Sequence, residues 1–433
     1  MNLSKTALVA IFGGMALIVI IFLLQLSGVI DIFKTKNIPR GTLTLWASEP
    51  EEIWKPILEK VKGQLPGVKI NFVSKPEDTL RQELIEAFAS QQGPDIWIMP
   101  SELVRRDKDK ILPLPFAPET FRNNYIDTAE DELIFDSQVW GLPISFNTLA
   151  LYSNTDMLNS AGIAKAPSDW DEIKEATKFL TKRDDRGRIT QSGIALGPAS
   201  NIPLAKEIFL SLLWQQGGDV LSPDEKTVII QEGIEIERDR IIPAQTTLSF
   251  LSEFSNPSLT HGGWLSTFKD SEEEFSKERV AMIIGDEKTQ NRLLEKNPRL
   301  NFRITRFPQL RSTNKEVVFG KTKAILISKS SKNQELAWLY ASTLVSYDFS
   351  QDYLSATFSL SPRRDLFNLQ RQDDKLKTFA DQMLIARSWP NPDPARINPI
   401  LENMIDSVGI GRQTPSQAVT QVHQKLKLII EGK

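Results

Sequence analysis

The sequence predicts an α/β fold with an open parallel sheet, preceded by an N-terminal transmembrane helix. Two features carry this prediction. Between Thr42 and Met99, three strand-like runs alternate with two amphipathic helical patterns, and this alternation within roughly 60 residues is typical of right-handed βαβ units. Ahead of them, the segment Thr6–Ile30 contains no charged residue, and a helix of about 20 apolar residues is long enough to span a bilayer.

The first three strands are predicted from short β-prone runs, which are TLTLWA at 42–47, VKINFV at 68–73 and DIWIM at 95–99. Helices are predicted between them, because apolar residues recur there at intervals of three or four positions. Ligands of open α/β sheets bind outside the carboxyl ends of the strands. The segments 47–49 and 99–102, where the first and third strands end, are therefore candidates for a binding site.

The rest of the chain continues the mixed pattern. Capping-box spacing predicts one helix start at Ser168, with Asp171, and another at Thr414, with Gln417. The segment 231–245 is predicted to be an exposed loop insertion. Further strands are predicted at 140–145, 149–153, 193–196 and 280–284, and a further helix at 334–345.

The composition argues against several classes of protein. Lys and Arg number 52 and Asp and Glu 55, giving a net charge of −3, so nothing indicates the basic face of a nucleic-acid-binding protein. The absence of cysteine excludes disulfides, thiolate chemistry and lipid attachment through an N-terminal cysteine. With only His261 and His423 as histidines, the common metal sites are disfavoured. We predict no cofactor and no metal.

No catalytic motif is found. Phe319-Gly320-Lys321-Thr322 resembles the end of a phosphate-binding loop. The first glycine of that motif would fall at Lys315, however, and a strand rather than a helix is predicted to follow. Paired carboxylates could in principle form a glycosidase site, but no pair stands out among the 55 acids. The protein is therefore predicted not to be an enzyme.

The N-terminal apolar segment allows two interpretations. The apolar core of a cleavable signal peptide is about 7–15 residues long and is followed by small residues. Here the run Ala7–Leu24 is longer, and the following residues form a weak cleavage site, which favours a retained anchor. Val29 stands where a bacterial lipobox would have its lipidated cysteine. The basic residues Lys34 and Lys36 after the span argue for a cytoplasmic domain, but long domains translocate largely regardless of such charges.

Five sequence blocks point to a known family. They are WGLPISFNTLALYSNTDML at 140–158, APSDWDEI at 166–173, RVAMIIG at 279–285, KAILISKSSKNQELAW at 323–338 and GRQTPSQA at 411–418. In this order they are similar to blocks of the family 1 extracellular solute-binding proteins, the group that includes maltose-binding protein. The resemblance covers nearly all of the chain after the anchor, from about Gly41 to Lys433.

This resemblance implies a two-lobed periplasmic-binding-protein-like fold of type II, whose lobes close on a solute. The anchor and a short linker would occupy 1–37, lobe 1 would comprise 41–143 plus 310–347, and lobe 2 would comprise 147–306 plus 360–433. Hinge crossings are expected near 143–147, 307–309 and 348–360. The implied function is delivery of a sugar or oligosaccharide to the permease subunits of an ABC importer. The protein would act at the extracytoplasmic face of the membrane, anchored by its N-terminal helix.

The resemblance also implies which residues hold the solute, through polar groups placed in an otherwise apolar pocket. For Tyr152, packing at the hinge is an equally good alternative to contact with the solute. The implied set is Ser48, Glu49, Met99, Ser101, Glu102, Tyr152, Trp264, Asp286, Glu287, Lys321 and Arg363.

The sequence departs from the sugar-binding pattern at two places. Asp286-Glu287-Lys288 and Ala395-Arg396-Ile397-Asn398 stand where sugar-binding members often have aromatic residues, and these substitutes would suit a cationic or highly hydroxylated solute. Two alternatives to transport stay open, an anchored sensor or interaction module on the same fold and a surface glycoside hydrolase.

Overall fold

The computed structural model describes residues 40–432, except 237, 238, 312, 314 and 390. The predicted N-terminal transmembrane helix and its linker, 1–37, lie outside the described residues. Among the residues that are described, none of the helices combines the length and the apolar character that crossing a bilayer requires.

The described strands are β1 (Gly41–Ala47), β2 (Val68–Ser74), β3 (Ile96–Pro100), β4 (Ile134–Phe135), β5 (Gln138–Val139), β6 (Leu142–Thr148), β7 (Ala150–Asn154), β8 (Lys182–Arg183), β9 (Ile189–Gln191), β10 (Ile234–Ile236), β11 (Asp239–Ile241), β12 (Met282–Gly285), β13 (Phe302–Arg306), β14 (Val318–Ile327) and β15 (Ala386–Arg387).

The described α-helices are α1 (Glu51–Gln64), α2 (Glu77–Ala89), α3 (Val104–Asp107), α4 (Pro118–Asn124), α5 (Asp127–Leu133), α6 (Thr155–Ser160), α7 (Trp170–Leu180), α8 (Ala205–Gln215), α9 (Pro243–Glu253), α10 (Ser271–Ser276), α11 (Thr289–Lys296), α12 (Gln334–Leu344), α13 (Tyr347–Thr357), α14 (Phe367–Gln372), α15 (Lys377–Gln382), α16 (Pro394–Gly409) and α17 (Pro415–Ile430).

The chain divides into two compact units. Unit 1 contains the described residues up to Phe146 together with Lys321–Gln370, and unit 2 contains Asn147–Gly320 and the residues from Arg371 onward. Each unit is therefore assembled from segments that are distant in sequence.

Unit 1 is built on a sheet with the strand order β14–β3–β1–β2. β1 pairs in parallel with both β2 and β3, whereas β14 runs antiparallel to β3. The parallel β1–α1–β2–α2–β3 sequence confirms the βαβ pattern expected between Thr42 and Met99. The inner strand β3 is buried on both faces, from Ile96 to Met99, as expected for a strand covered by helices on both sides.

Unit 2 contains an antiparallel sheet with the strand order β12–β7–β13. The segment 192–196 runs alongside β12, because the N–H of Ala195 donates to the carbonyl of Met282 at 3.1 Å and the N–H of Ala281 donates to that of Ser192 at 2.9 Å. The helix α8 is buried along its whole length, which places it in the core of this unit.

The helix starts follow local chemistry. At α17, Thr414 and Gln417 form the predicted capping box. At α7 the prediction of a Ser168–Asp171 box was wrong by one residue, because the carboxylate of Asp169 accepts the N–H of Glu172 at 2.8 Å. The segment predicted as a loop insertion, 231–245, instead contains the hairpin β10–β11 and the beginning of α9.

One boundary between the units falls within an expected crossing, and the other two do not. The first boundary follows Phe146, inside the expected 143–147. The others follow Gly320 and Gln370. The expected crossing at 307–309 lies inside unit 2, because Phe307 packs edge-on against Trp170 at 5.3 Å between ring centroids. The expected crossing at 348–360 lies inside unit 1, within and just after α13. A hinge role for these segments stays a prediction.

Candidate functional site

The carboxyl ends of the parallel strands of unit 1 form a polar edge. β1 and β3 are in register from Leu45 opposite Ile96, so both strands end at the same side of the sheet. The antiparallel β14 meets this side with Lys323 opposite Pro100. We call this place, formed by 48–49, 101–102 and 321–323, the strand edge of unit 1.

One half of the strand edge is an ion-pair network around Lys323. Its Nζ donates to Glu77 Oε2 at 2.8 Å, to Ser48 Oγ at 3.0 Å and to Glu49 Oε1 at 3.2 Å. The hydroxyl of Tyr353 donates to Glu49 at 3.0 Å. Burial alone would lower the pKa of Lys323, but the carboxylates of Glu49 and Glu77 raise it above its ordinary value. The ammonium therefore stays charged and holds Ser48 and Glu49 in place.

The other half of the strand edge is a chain of hydroxyl and carboxyl groups. Ser101 Oγ lies 2.6 Å from Thr322 Oγ1. The N–H of Thr322 donates to Glu132 Oε2 at 3.0 Å, and its hydroxyl donates to the same oxygen. Burial raises the pKa of Glu132 to about 8, against the lowering effect of the hydrogen bonds from Thr322. The nearby carboxylate of Glu102 raises it further and Lys321 lowers it.

Glu132 is a site residue that the sequence did not reveal. It lies near the end of α5, in the acidic stretch DTAEDEL, where nothing in the residue pattern separates it from its neighbours. Its burial becomes evident only in the structure, where Thr322 of β14 contacts it. The structure therefore adds a carboxyl group, mainly protonated at neutral pH, to the strand edge.

Two residues of unit 1 that were predicted to bind the solute are buried and make their contacts inside this unit. Met99 is buried in β3, where its sulfur accepts the indole N–H of Trp97 at 3.0 Å. Arg363 is 2% exposed. Its guanidinium donates to the carbonyl of Val345 at 2.6 Å and to both carboxylate oxygens of Asp365 at 2.9 and 2.5 Å. Packing and hydrogen bonding inside unit 1 account for both residues, and their contact with a solute stays a prediction.

In unit 2, the predicted residues Tyr152, Asp286 and Glu287 lie together at one end of the sheet. The Tyr152 hydroxyl donates to the Asp286 carbonyl at 2.5 Å. The carboxylate of Asp286 accepts the N–H of Thr289 at 3.0 Å and pairs with Arg292 at 3.1 Å. Its carboxylate therefore accepts the first N–H of α11, at the helix end where an anion is favoured.

Glu287 is fully buried in unit 2. Its Oε1 accepts a hydrogen bond from the side-chain amide of Asn147, whereas its Oε2 is buried without a hydrogen-bond partner. Burial, followed by the charge of Asp286, raises the pKa of Glu287 well above its ordinary value. Burial therefore disfavours the charged form of this carboxyl group.

Trp264 is fully buried in unit 2 and has a local structural role. Its indole N–H donates to Asn201 Oδ1 at 2.9 Å, and Asn201 in turn donates to the carbonyls of Leu265 and Phe268 at 2.9 and 3.2 Å. The ring also packs against Phe268 with 5.4 Å between centroids. These contacts fix the loop around Trp264, and its contact with a solute stays a prediction.

The structure thus brings Ser48, Glu49, Ser101, Glu102 and Lys321 to one edge of unit 1. Across the described residues, no group of three or more His, Asp or Glu side chains could hold a metal ion. At the strand edge these side chains provide hydrogen-bond donors and acceptors, many of which are used by neighbouring side chains.

Proteins of similar sequence are binding proteins. Residues 57–377 match the family described as bacterial extracellular solute-binding protein. A binding protein of Brucella abortus is 21% identical over 430 residues, covering 94% of this chain and 97% of the relative. The galactooligosaccharide-binding protein of Bacillus subtilis is 22% identical over 374 residues, covering 84% of each chain.

Solved structures show the same fold. The GacH receptor of Streptomyces glaucescens, solved unliganded and with acarbose, has a TM-score of 0.75 at 16% identity, over 91% of this chain and 99% of that chain. The sugar-binding protein MalE of Xanthomonas citri has a TM-score of 0.74 at 18% identity, over 90% and 98%. These likenesses confirm the two-lobed α/β fold of the maltose-binding-protein type.

Because the family match spans most of the sequence, the chain belongs to the bacterial extracellular solute-binding proteins. The resemblance noted from the five sequence blocks is thereby confirmed. The relatives named above are binding proteins and receptors rather than enzymes, in agreement with the prediction that this chain is not an enzyme.

Proposed function

We propose that this protein binds a sugar or oligosaccharide and presents it to an ABC importer outside the cytoplasmic membrane. The observation that carries the proposal is the strand edge of unit 1, where Ser48, Glu49, Ser101 and Lys323 are held by buried hydrogen bonds at the carboxyl ends of the strands. Open α/β sheets bind their ligands at this place.

The chemistry of the strand edge suits hydroxyl groups. A hydroxyl both donates and accepts, and this edge offers carboxylates, an ammonium and hydroxyls within one side of one sheet. The relatives add support, since one is named for galactooligosaccharide binding and another was solved with acarbose. A polyhydroxylated solute is therefore the best match for the residues present.

Calorimetric titration of the full chain in detergent micelles tests this proposal. The probes are maltotriose, maltotetraose and galactobiose. We expect at least one to bind, and Glu102→Gln to weaken that binding by about 10-fold, because a hydrogen bond to a charged group contributes roughly 1.5–3 kcal/mol. Glu119→Gln on α4 is the matched control, since Glu119 is exposed in unit 1 but distant in sequence from the edge.

Two results would count against the proposal. The absence of heat with every saccharide would remove sugar binding as the function. Equal weakening by Glu102→Gln and Glu119→Gln would show that the strand edge is not where the sugar binds. Delivery to an importer is tested separately, by uptake of the bound sugar in cells with and without this protein.

A further inference from the structure

Glu49 is a buried carboxylate at the strand edge of unit 1. It lies two residues after the end of β1 at Ala47, and it is 8% exposed. Taking a carboxylate out of water is unfavourable unless it is paired and hydrogen-bonded. The position of Glu49 therefore depends on the donors that neighbouring elements direct at it.

Two aromatic side chains from different helices donate to Glu49. The Tyr353 hydroxyl, on α13, donates to Oε1 at 3.0 Å, and the Trp54 indole N–H, on α1, donates to Oε2 at 3.4 Å. Both side chains are buried, at 1% and 0% exposure, and their ring centroids lie 5.3 Å apart. Each side chain has a single polar atom, and in each that atom faces Glu49. The two helices thus converge on one carboxylate.

The donors around Glu49 keep their protons. Burial, followed by the charge of Glu49, raises the pKa of Tyr353 well above its ordinary value, so its hydroxyl donates at neutral and moderately alkaline pH. An indole N–H can only donate. The ammonium of Lys323, on β14, adds a third donor 3.2 Å from Oε1. Glu49 therefore receives donors from three elements, and these fix its side chain in one orientation.

Stability alone gives no reason for this arrangement. Replacing a buried charged pair with well-packed apolar residues is often neutral or stabilising. The ring of Trp54 also packs against Phe72 with 5.8 Å between centroids, and that contact needs no polar atom. Orientation of the Glu49 carboxylate is what the polar atoms of Trp54 and Tyr353 add.

The hydrogen bonds described above differ between the two oxygens of Glu49. Those to Oε1, from Tyr353 and Lys323, are 3.0 and 3.2 Å long. The bond from Trp54 to Oε2 is 3.4 Å long, which exceeds the usual range of about 2.7–3.2 Å. Oε2 thus has the weakest of these bonds, and it is the oxygen to which a solute hydroxyl can donate.

We propose that Tyr353 is a positioning residue for solute binding, which together with Trp54 holds Glu49 so that its Oε2 accepts a hydrogen bond from a sugar hydroxyl. This inference rests on the function proposed above and specifies how the strand edge recognises the solute. Neither aromatic side chain contacts the solute itself. Because a carboxylate only accepts hydrogen bonds, a solute group without a donor hydrogen is disfavoured at this point.

The test is calorimetric titration of the full chain in detergent micelles with maltotriose, maltotetraose and galactobiose. For the sugar that binds, we expect Tyr353→Phe to weaken binding by about 5-fold, because it keeps the ring and removes a hydrogen bond that orients Glu49. Tyr340→Phe is the matched control. Tyr340 is also buried in unit 1, on α12, and its change should leave binding unaltered.

A double-mutant cycle separates positioning from a merely structural role. Glu49→Ala should itself weaken binding by roughly 10-fold or more. In that background Tyr353→Phe has no carboxylate to orient, so it should weaken binding no further.

Thermal unfolding checks that each variant of the cycle is folded. If Glu49→Ala does not fold or binds too weakly to be measured, Glu49→Gln replaces it. The effect of Tyr353→Phe should then be smaller than in wild type, because hydrogen bonds to a neutral group are weaker. If Tyr353→Phe does not fold, Trp54→Phe replaces it in both backgrounds, with weaker sugar binding as its expected result.

The outcomes separate this inference from the function it rests on. Sugar binding that is unaffected by Tyr353→Phe, or by Trp54→Phe where that variant replaces it, overturns the positioning role while sugar binding stands. An equal loss of affinity in wild type and in the Glu49 variant also overturns it, because the aromatic residue would then act without Glu49. If none of the three sugars binds, the proposed function fails and this inference fails with it.

Discussion

Glu132 connects the strand edge of unit 1 to the pH dependence of stability. Its folded-state pKa of about 8 lies above the ordinary value of 4.5, so the folded protein holds this proton more tightly than the unfolded chain does. The stabilisation is therefore fully present below pH 4.5 and is lost as the pH rises through 8. Glu132→Gln keeps a neutral side chain at every pH. Relative to wild type, we expect the variant to gain a few kcal/mol, roughly 3–5, on going from pH 5 to pH 9.

Urea unfolding of the two proteins at pH 5, 7 and 9 measures this difference. Glu130→Gln on the same helix is the control, since its carboxylate is partly exposed and paired with Arg122, and such pairs contribute little. A parallel pH profile for Glu132→Gln and wild type would show that Glu132 ionises normally in the folded protein.

At the residue scale, strand ends could be predicted and burial could not. Ser48, Glu49 and Ser101 follow β-prone runs, and the structure places them at one edge. Arg363 and Trp264 were chosen by resemblance, yet their polar atoms are used by Val345, Asp365 and Asn201. Folding decides which groups become these partners, and the partner of Trp264 lies far from it in sequence. No local pattern reports such contacts, which is also why Glu132 was missed.

At the element scale, the capping box of α17 gives a prediction about stability. Thr414 accepts the N–H of Gln417 at 3.3 Å, while the Gln417 side chain accepts the N–H of Thr414 at 3.0 Å. Thr414→Ala removes the side-chain acceptor of the Gln417 N–H and leaves the other half of the box in place, and we expect it to lower the free energy of unfolding by about 1 kcal/mol. Ser416→Ala, an exposed change in the same turn, should be nearly neutral. Denaturant unfolding measures both, and an equal loss in the two variants would argue against the cap.

The helix starts also show how far local chemistry reaches. The α17 box was predicted correctly because its two residues bind each other within one turn and need no distant partner. At α7, Asp169 competes successfully with Ser168, since its carboxylate also binds Arg311 from a distant segment. The hairpin β10–β11 was read as loop because each of its strands has only three residues, too few for alternation to be recognised.

At the scale of the whole molecule, sequence order was informative and exact boundaries were not. Five blocks in the right order led to the family that residues 57–377 match. The unit boundaries after Gly320 and Gln370 were missed, because a boundary depends on which segments pack together. β14 illustrates this, since its first three residues belong to unit 2 and the rest to unit 1.

The last prediction concerns the N-terminal anchor that is predicted from the sequence. Ala7–Leu24 would form an apolar helix about 27 Å long, close to the roughly 30 Å of a bilayer core. We expect the full chain to sediment with membranes and to resist carbonate extraction, whereas a chain beginning at Arg40 should stay in the supernatant. Because the strand edge lies wholly in later residues, both chains should bind the same saccharide with equal affinity. N-terminal sequencing of the membrane fraction checks retention of the anchor. A membrane-bound chain that begins near Val29 would contradict a helical anchor and point to another means of attachment.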